Sequence, residues 1–188
     1  MKKAWILIMT IAMVGLFNIK SNAQLSLGIN GGICLPQNSD FSNGFSSGFG
    51  GSVNAEFNIA KIGIGLNAGD YFFKGKDNST VSSATFSAIP IILDVKYYFF
   101  PIIFKPFIGI GGGMYNEHLK ETITVLGTSS SSSASESHFG FAPEIGFALG
   151  LHTKLCVSAK YNIVPKGSGN FGNVDYLSLN LGLIFPLI

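Results

Sequence analysis

The stretch Phe139–Val164, FGFAPEIGFALGLHTKLCVSAKYNIV, decides how the rest of the chain is read. Taken at every second residue it separates into two lists. Phe139, Phe141, Pro143, Ile145, Phe147 and Leu149 make one face, and Gly140, Ala142, Glu144, Gly146, Ala148 and Gly150 make the other. After Leu151-His152-Thr153 the pattern resumes, with Leu155, Val157, Ala159, Tyr161 and Ile163 against Cys156, Ser158, Lys160 and Asn162. A period of two is the signature of a strand, because successive side chains leave it on opposite sides. The second face is small or polar and carries few charges, unlike the solvated face of a soluble sandwich. Such a hairpin belongs to a barrel turned inside out, with its apolar face in lipid.

Composition points the same way. Of 188 residues, 47% are hydrophobic and only 12% charged, yet beyond the first 23 no apolar run approaches the ~20 residues a spanning helix needs. A net charge of +2 without a basic aromatic patch gives no support to nucleic-acid binding. At the N-terminus Lys2 and Lys3 precede the apolar run Ala4–Phe17, and Ser21-Asn22-Ala23 places small residues where a signal peptidase reads. Residues 1–23 are therefore expected to be a cleaved leader and residues 24–188 the barrel domain. Cys34 closes the first strand and Cys156 opens the seventh. They should sit near opposite rims, too far apart for a disulfide, as free small fillers.

The same alternation recurs along the chain. Leu25–Cys34 and Phe49–Ile59 are the first two strands, separated by a polar loop at Leu35–Ser47. Ala60-Lys61 turns the chain into a third strand, Ile62 to about Lys74, on whose apolar face Asp70 is the exception, either at headgroup level or after a bulge. A fourth strand runs from about Thr85 to Phe99 and a fifth from Pro106 to Tyr115. Asn116–Ser137 reads as the longest connection, with a low-complexity, mobile serine run at Ser129–Ser133 and with room for part of it to extend the strands above the membrane. The eighth strand is Asp175–Phe185. Eight strands with alternating long and short connections describe an antiparallel up-and-down transmembrane β-barrel, its long loops external. Aromatics at strand ends (Tyr71, Phe72 and Phe73; Tyr97 to Phe100; Tyr176; Phe185) suit interfacial girdles, and the eighth strand must close on the first because lipid tolerates no open edge.

The segments Ile89-Pro90-Ile91-Ile92-Leu93-Asp94-Val95-Lys96-Tyr97-Tyr98-Phe99 and Lys105-Pro106-Phe107-Ile108-Gly109-Ile110-Gly111-Gly112-Gly113 resemble the outer-membrane β-barrel domain family, small porin-like proteins related to the OmpA and OmpX barrels. The likeness spans Gln24–Ile188. The C-terminus is also similar to the strand that barrel-assembly machinery reads: Asn180, Gly182, Phe185 and Leu187 match in order, although Pro186-Leu187-Ile188 replaces the usual terminal Phe. The resemblance implies a Gram-negative outer-membrane location and no catalytic motif.

Candidate chemistry is sparse. Gly109–Gly113 lacks the Lys-Ser/Thr ending and following helix of a phosphate loop, and reads as space inside a narrow barrel. In Glu136-Ser137-His138, adjacent strand residues point opposite ways, which argues against a serine hydrolase. His118, His138 and His152 are scattered, so no metal site is expected, and no cofactor. The inward charges are the informative set: Glu56, Asp94, Lys96, Glu144 and Lys160. They are expected to form an ion-pair network in a polar, side-chain-filled lumen, closing the barrel to water, because eight strands leave room for little beyond side chains. Matching the faces across Leu151–Thr153 sets Glu144 opposite Lys160 as its cross-strand core. The expectation is a non-enzymatic, monomeric barrel whose partners are outer-membrane lipids, the assembly machinery and an external loop partner. Its role would be structural or adhesive, or that of a narrow pore. The alternatives are a secreted lipocalin-like barrel with an apolar ligand and, last, a lipid-modifying outer-membrane enzyme.

Overall fold

The computed structural model describes residues 24–76, 83–100, 103–125, 128–165 and 173–187. The expected leader, residues 1–23, lies outside them. Eight strands close into one antiparallel barrel in sequence order: β1 (Gln24–Pro36), β2 (Gly48–Ile59), β3 (Ile62–Lys74), β4 (Ser83–Tyr98), β5 (Phe104–Val125), β6 (Thr128–Leu149), β7 (Lys154–Val164) and β8 (Val174–Pro186). Closure joins β8 to β1, from Ser26 opposite Pro186 to Pro36 opposite Tyr176.

The period of two sorts the side chains as the alternation requires. Leu27, Ile29, Val53, Leu66, Leu93, Ile110, Ile145 and Leu181 point out and are exposed, whereas Ser26, Asn54, Asn67, Asp94, Lys160 and Asn180 are buried inside. On β4 and one residue past it, every outward residue from Ile89 to Phe99 is apolar or aromatic. At about 3.4 Å per residue and a tilt near 40°, that run spans roughly 25 Å, the height of a lipid-facing band. Turn length fixes register. Across Ala60-Lys61, Glu56 pairs with Gly65 and Asn54 with Asn67. Lys96 pairs with Gly109 and Asp94 with Gly111. Asp70 faces outward at the upper edge of the band, and no bulge turns it: Ala68 opposite Ile91 and Tyr71 opposite Ala88 belong to one unbroken register.

Three expectations need correction. The segment read as a polar loop after the first strand contains a short helix, α1 (Ser39–Gly44), capped by Asn38, whose Oδ1 accepts from the Phe41 amide at 2.8 Å. The longest connection is no loop. Strands β5 and β6 stay paired from Phe104 opposite Leu149 up to Val125 opposite Thr128, so the serine run is a strand. Its partner supplies the β propensity, since Thr122, Ile123, Thr124 and Val125 are β-branched. Lastly, four of the nine aromatics expected in the girdle are core. Phe72, Tyr97, Phe99, Phe100 and Phe185 are exposed, but Tyr71, Phe73, Tyr98 and Tyr176 sit on the inward parity and are buried.

Candidate functional site

Charged and polar side chains from every wall converge in the barrel lumen. Its middle tier holds the five inward charges. Lys96 Nζ lies 3.1 Å from Glu56 Oε2 and 3.9 Å from Glu144 Oε2. Lys160 Nζ lies 3.5 Å from both Asp94 Oδ1 and Glu144 Oε2. Glu144 thus bridges the two ammoniums, and β6–β7 pairing sets it directly opposite Lys160. The Tyr98 hydroxyl donates to Glu56 at 2.7 Å, and Lys96 lies over the Phe107 ring, 5.2 Å from its centre. Around the charges Asn30 donates to Asn54 at 3.2 Å and Asn162 to Ser178 at 3.2 Å.

Glycines on intervening strands make these contacts possible. Glu56 on β2 and Lys96 on β4 meet over β3, where Gly63 and Gly65 occupy the inward positions between them. On β5, a Cβ at Gly111 would overlap Asp94 and Ile92, and one at Gly109 would crowd Lys96. The residual space in this tier is about 10 Å³, bordered by Asn30, Lys96, Glu144 and Lys160 among others. That is barely enough for a single water.

Above the charges the lumen is aromatic, which amends the expectation of a polar filling throughout. Phe73, Tyr115 and Tyr176 are almost completely buried, with Phe73 and Tyr176 edge to face at 5.3 Å. The helix α1 roofs this tier with Phe41, which meets Phe73 at 4.9 Å and Phe86 at 5.1 Å. Sequence reasoning missed the roof because two phenylalanines, Phe41 and Phe45, in a Gly/Ser/Asn segment are too few to establish a helical period. Parity did place Tyr71 and Phe73 inside, but their position at a strand end suggested a girdle instead.

At the end with the long connections, above the band, Glu117 and Glu136 stand directly opposite each other on β5 and β6. His138 lies between them, Nδ1 3.1 Å from Glu117 and Nε2 3.5 Å from Glu136. Burial pushes the Glu117 carboxyl up to about 7, against the lowering effect of the His138 hydrogen bond. Ser137 points the other way, its hydroxyl donating to Asn116 at 2.7 Å. Nucleophile and base therefore lie on opposite faces of a straight strand, an arrangement without hydrolase geometry. Among the described residues no group of three or more His, Cys, Asp or Glu is placed to hold a metal ion.

The remaining singled-out residues are dispersed. Cys34 packs in the upper cluster and Cys156 in a lower one with Tyr98, Phe107 and Ile184, both as free thiols. On β8, Asn180 and Gly182 face the lumen, while Phe185 and, just past the strand, Leu187 are exposed on the outer surface.

Residues 9–185 match the sequence profile described as the outer membrane protein beta-barrel domain. No curated protein matches the sequence. Similar solved structures include Neisserial surface protein A, at 17% identity and a TM-score of 0.61, covering 89% of this chain and 100% of that one. Ail, the attachment invasion locus protein of Yersinia pestis, is 11% identical with a TM-score of 0.52, covering 90% and 100%. A major outer membrane protein from Thermus thermophilus is 14% identical with a TM-score of 0.51, covering 88% and 99%. At such identities the likeness speaks for the fold.

Proposed function

The chain belongs to the outer membrane protein β-barrel domain family and is an outer-membrane protein, and from that premise we propose that it is a closed, non-enzymatic barrel working at the cell surface. The observation that carries this reading is the filled lumen. A charge tier with about 10 Å³ of free space lies beneath an aromatic tier roofed by Phe41. No solute larger than one water passes such a plug without side chains moving. The narrow-pore role loses support for that reason. A lipocalin-like role loses it too, because the apolar strand faces point outward and the middle of the lumen is taken up by charged side chains.

What the barrel offers its surroundings is its external end. The β5–β6 hairpin continues past Asn116, at the edge of the band, to Val125. At about 3.4 Å per residue that is roughly 30 Å of paired strand along its axis. Its outward side chains there are polar, among them His118, Lys120, Ser133, Ser135 and Ser137. A rigid polar projection on a sealed barrel suits contact with a partner, an adhesive role, better than transport. The name of the Yersinia neighbour, an attachment protein, agrees with this. Export by the leader at residues 1–23, insertion by assembly machinery reading Asn180, Gly182, Phe185 and Leu187, and a monomeric state complete the proposal. A planar-bilayer recording tests it. The expected trace shows no conductance steps, and steady open-channel conductance would overturn the sealed-barrel reading.

A further inference from the structure

Below the charge tier, at the end with the short turns, the lumen opens into a cavity of about 260 Å³. Lys61, Lys105 and Lys154 line it, together with Asn58, Tyr98 and Phe100. Among the described residues Glu56 is the only carboxylate on its wall, and that group is already engaged by Lys96 at 3.1 Å and by the Tyr98 hydroxyl at 2.7 Å. Lys154 is the telling residue. It begins β7 on the inward parity, opposite Ile184, and is only 8% exposed. Among the described residues no carboxylate pairs with its ammonium and no acceptor takes a hydrogen bond from it. The neighbouring Lys105 ammonium adds repulsion, which the Glu56 carboxylate, engaged elsewhere and not in contact, offsets only in part. A buried cation without a paired counter-ion is costly, and an arriving anion would remove that cost.

We infer that this mouth is a binding site for a small oxyanion, a phosphate group or a compact carboxylate, held between Lys154 and Lys105. An ammonium is a point charge with rotatable donors rather than a planar fork, so it suits a tetrahedral phosphate as well as a carboxylate. The cavity is at the small end of ligand pockets, which limits the occupant to the anionic group and a short remainder against Phe100, Ala148 and Ile184. The inference goes beyond the surface role proposed above and does not require the lumen to be sealed. The anion could come from solution or from a phospholipid headgroup.

The test is calorimetric titration of the protein, folded in zwitterionic micelles, with inorganic phosphate at matched ionic strength. Saturable binding is expected. It should weaken at least about tenfold in Lys154→Met and in Lys105→Gln, the loss of one charge-assisted hydrogen bond. Lys105 is half-buried, so its variant serves should Lys154→Met fail to fold. Lys74→Gln, whose side chain faces outward on β3, should bind like the parent. The titration is repeated in vesicles containing phosphatidylglycerol. Phosphate affinity retained there assigns the site to a solution anion; affinity lost there but present in micelles assigns it to the headgroup. An absence of saturable binding in micelles, or equal affinity in parent and both variants, overturns the inference.

Discussion

Lys160→Met should destabilise the barrel far more than Glu144→Gln, although the two residues face each other. The middle tier contains three carboxylates, Glu56, Asp94 and Glu144, and two ammoniums, Lys96 and Lys160, a formal charge of −1. Removing the Lys160 charge takes the nearest cation, at 3.5 Å, from both Asp94 and Glu144 and leaves three carboxylates to share Lys96. Leaving a buried charge unpaired costs about 3–5 kcal/mol. Glu144→Gln instead leaves Glu56 with Lys96 at 3.1 Å and Asp94 with Lys160 at 3.5 Å. That is two matched pairs, so its expected cost is within about 1 kcal/mol. Asp94→Asn combined with Lys160→Met returns the tier to −1 and should recover most of the loss, a coupling read from a double-mutant cycle. The single tryptophan, Trp5, falls in the leader region, so unfolding is better followed by the mobility shift between folded and boiled protein on a gel. Over graded temperatures Lys160→Met should lower the midpoint by about 10 °C. Equal shifts for the two single variants, or no recovery in the double, would refute the charge-balance reasoning.

Three further outcomes follow from other parts of the barrel. Glu117, held near 7 by burial, binds a proton in the folded state between its ordinary value of 4.5 and about 7, where the unfolded chain does not. Stability from this group is therefore full below about pH 4.5 and lost as the pH rises through about 7, by at most about 3 kcal/mol. Glu117→Gln should flatten that decline between about pH 4.5 and 7 in the same gel assay, and an unchanged slope would count against it. Ala60 turns the chain at φ 54°, in the left-handed region where a Cβ costs about 1 kcal/mol, so Ala60→Gly should raise the melting midpoint by a few degrees. Leu181, mid-band and 57% exposed on the lipid face, should tolerate no charge. Leu181→Lys costs about 2–4 kcal/mol, visible as a lower folded fraction in vesicles than for Leu181→Ala.

The barrel was legible in the sequence to the extent that its determinants are local. Parity alone separates Ile145 from Glu144 and Val157 from Ser158, and the length of a tight turn then fixes which residues face each other. Ala60-Lys61 sets Glu56 against Gly65 in this way. The lumen's interior contacts are not local. Lys160 reaches Asp94 from β7 to β4, across the barrel, at 3.5 Å, and no strand pattern encodes the curvature that brings them together. Glu56 and Lys96 are a whole strand apart and meet because glycines lie between them. Parity also says nothing of free volume. Ser178 faces inward like Lys160 yet is fully buried, its hydroxyl donating to the Lys160 carbonyl at 3.1 Å, so a charge placed there would have nowhere to go. The serine run escaped recognition as strand because Ser129–Ser133 has no apolar face; its backbone ladder to β5 holds it. Phe41 escaped because its helix has only six residues and its burial depends on Phe73 and Phe86 arriving from distant strands.

The pairing of β1 with β8 has a consequence in time. Ser26 finds its partner in Pro186, at the far end of the chain, and Pro36 finds Tyr176. The first strand made therefore waits for the last before either of its far-side hydrogen bonds exists, and until then two ladders' worth of amides and carbonyls have no place in hydrocarbon. Contacts of such long sequence separation form slowly, because the chain entropy of bringing the ends together is spent before any stabilisation returns. Insertion is consequently expected to be all or none. A chain shortened before Asn180 should not yield a seven-stranded intermediate resting in the bilayer; it should remain in aqueous surroundings, exposed to whatever chaperones and proteases patrol there.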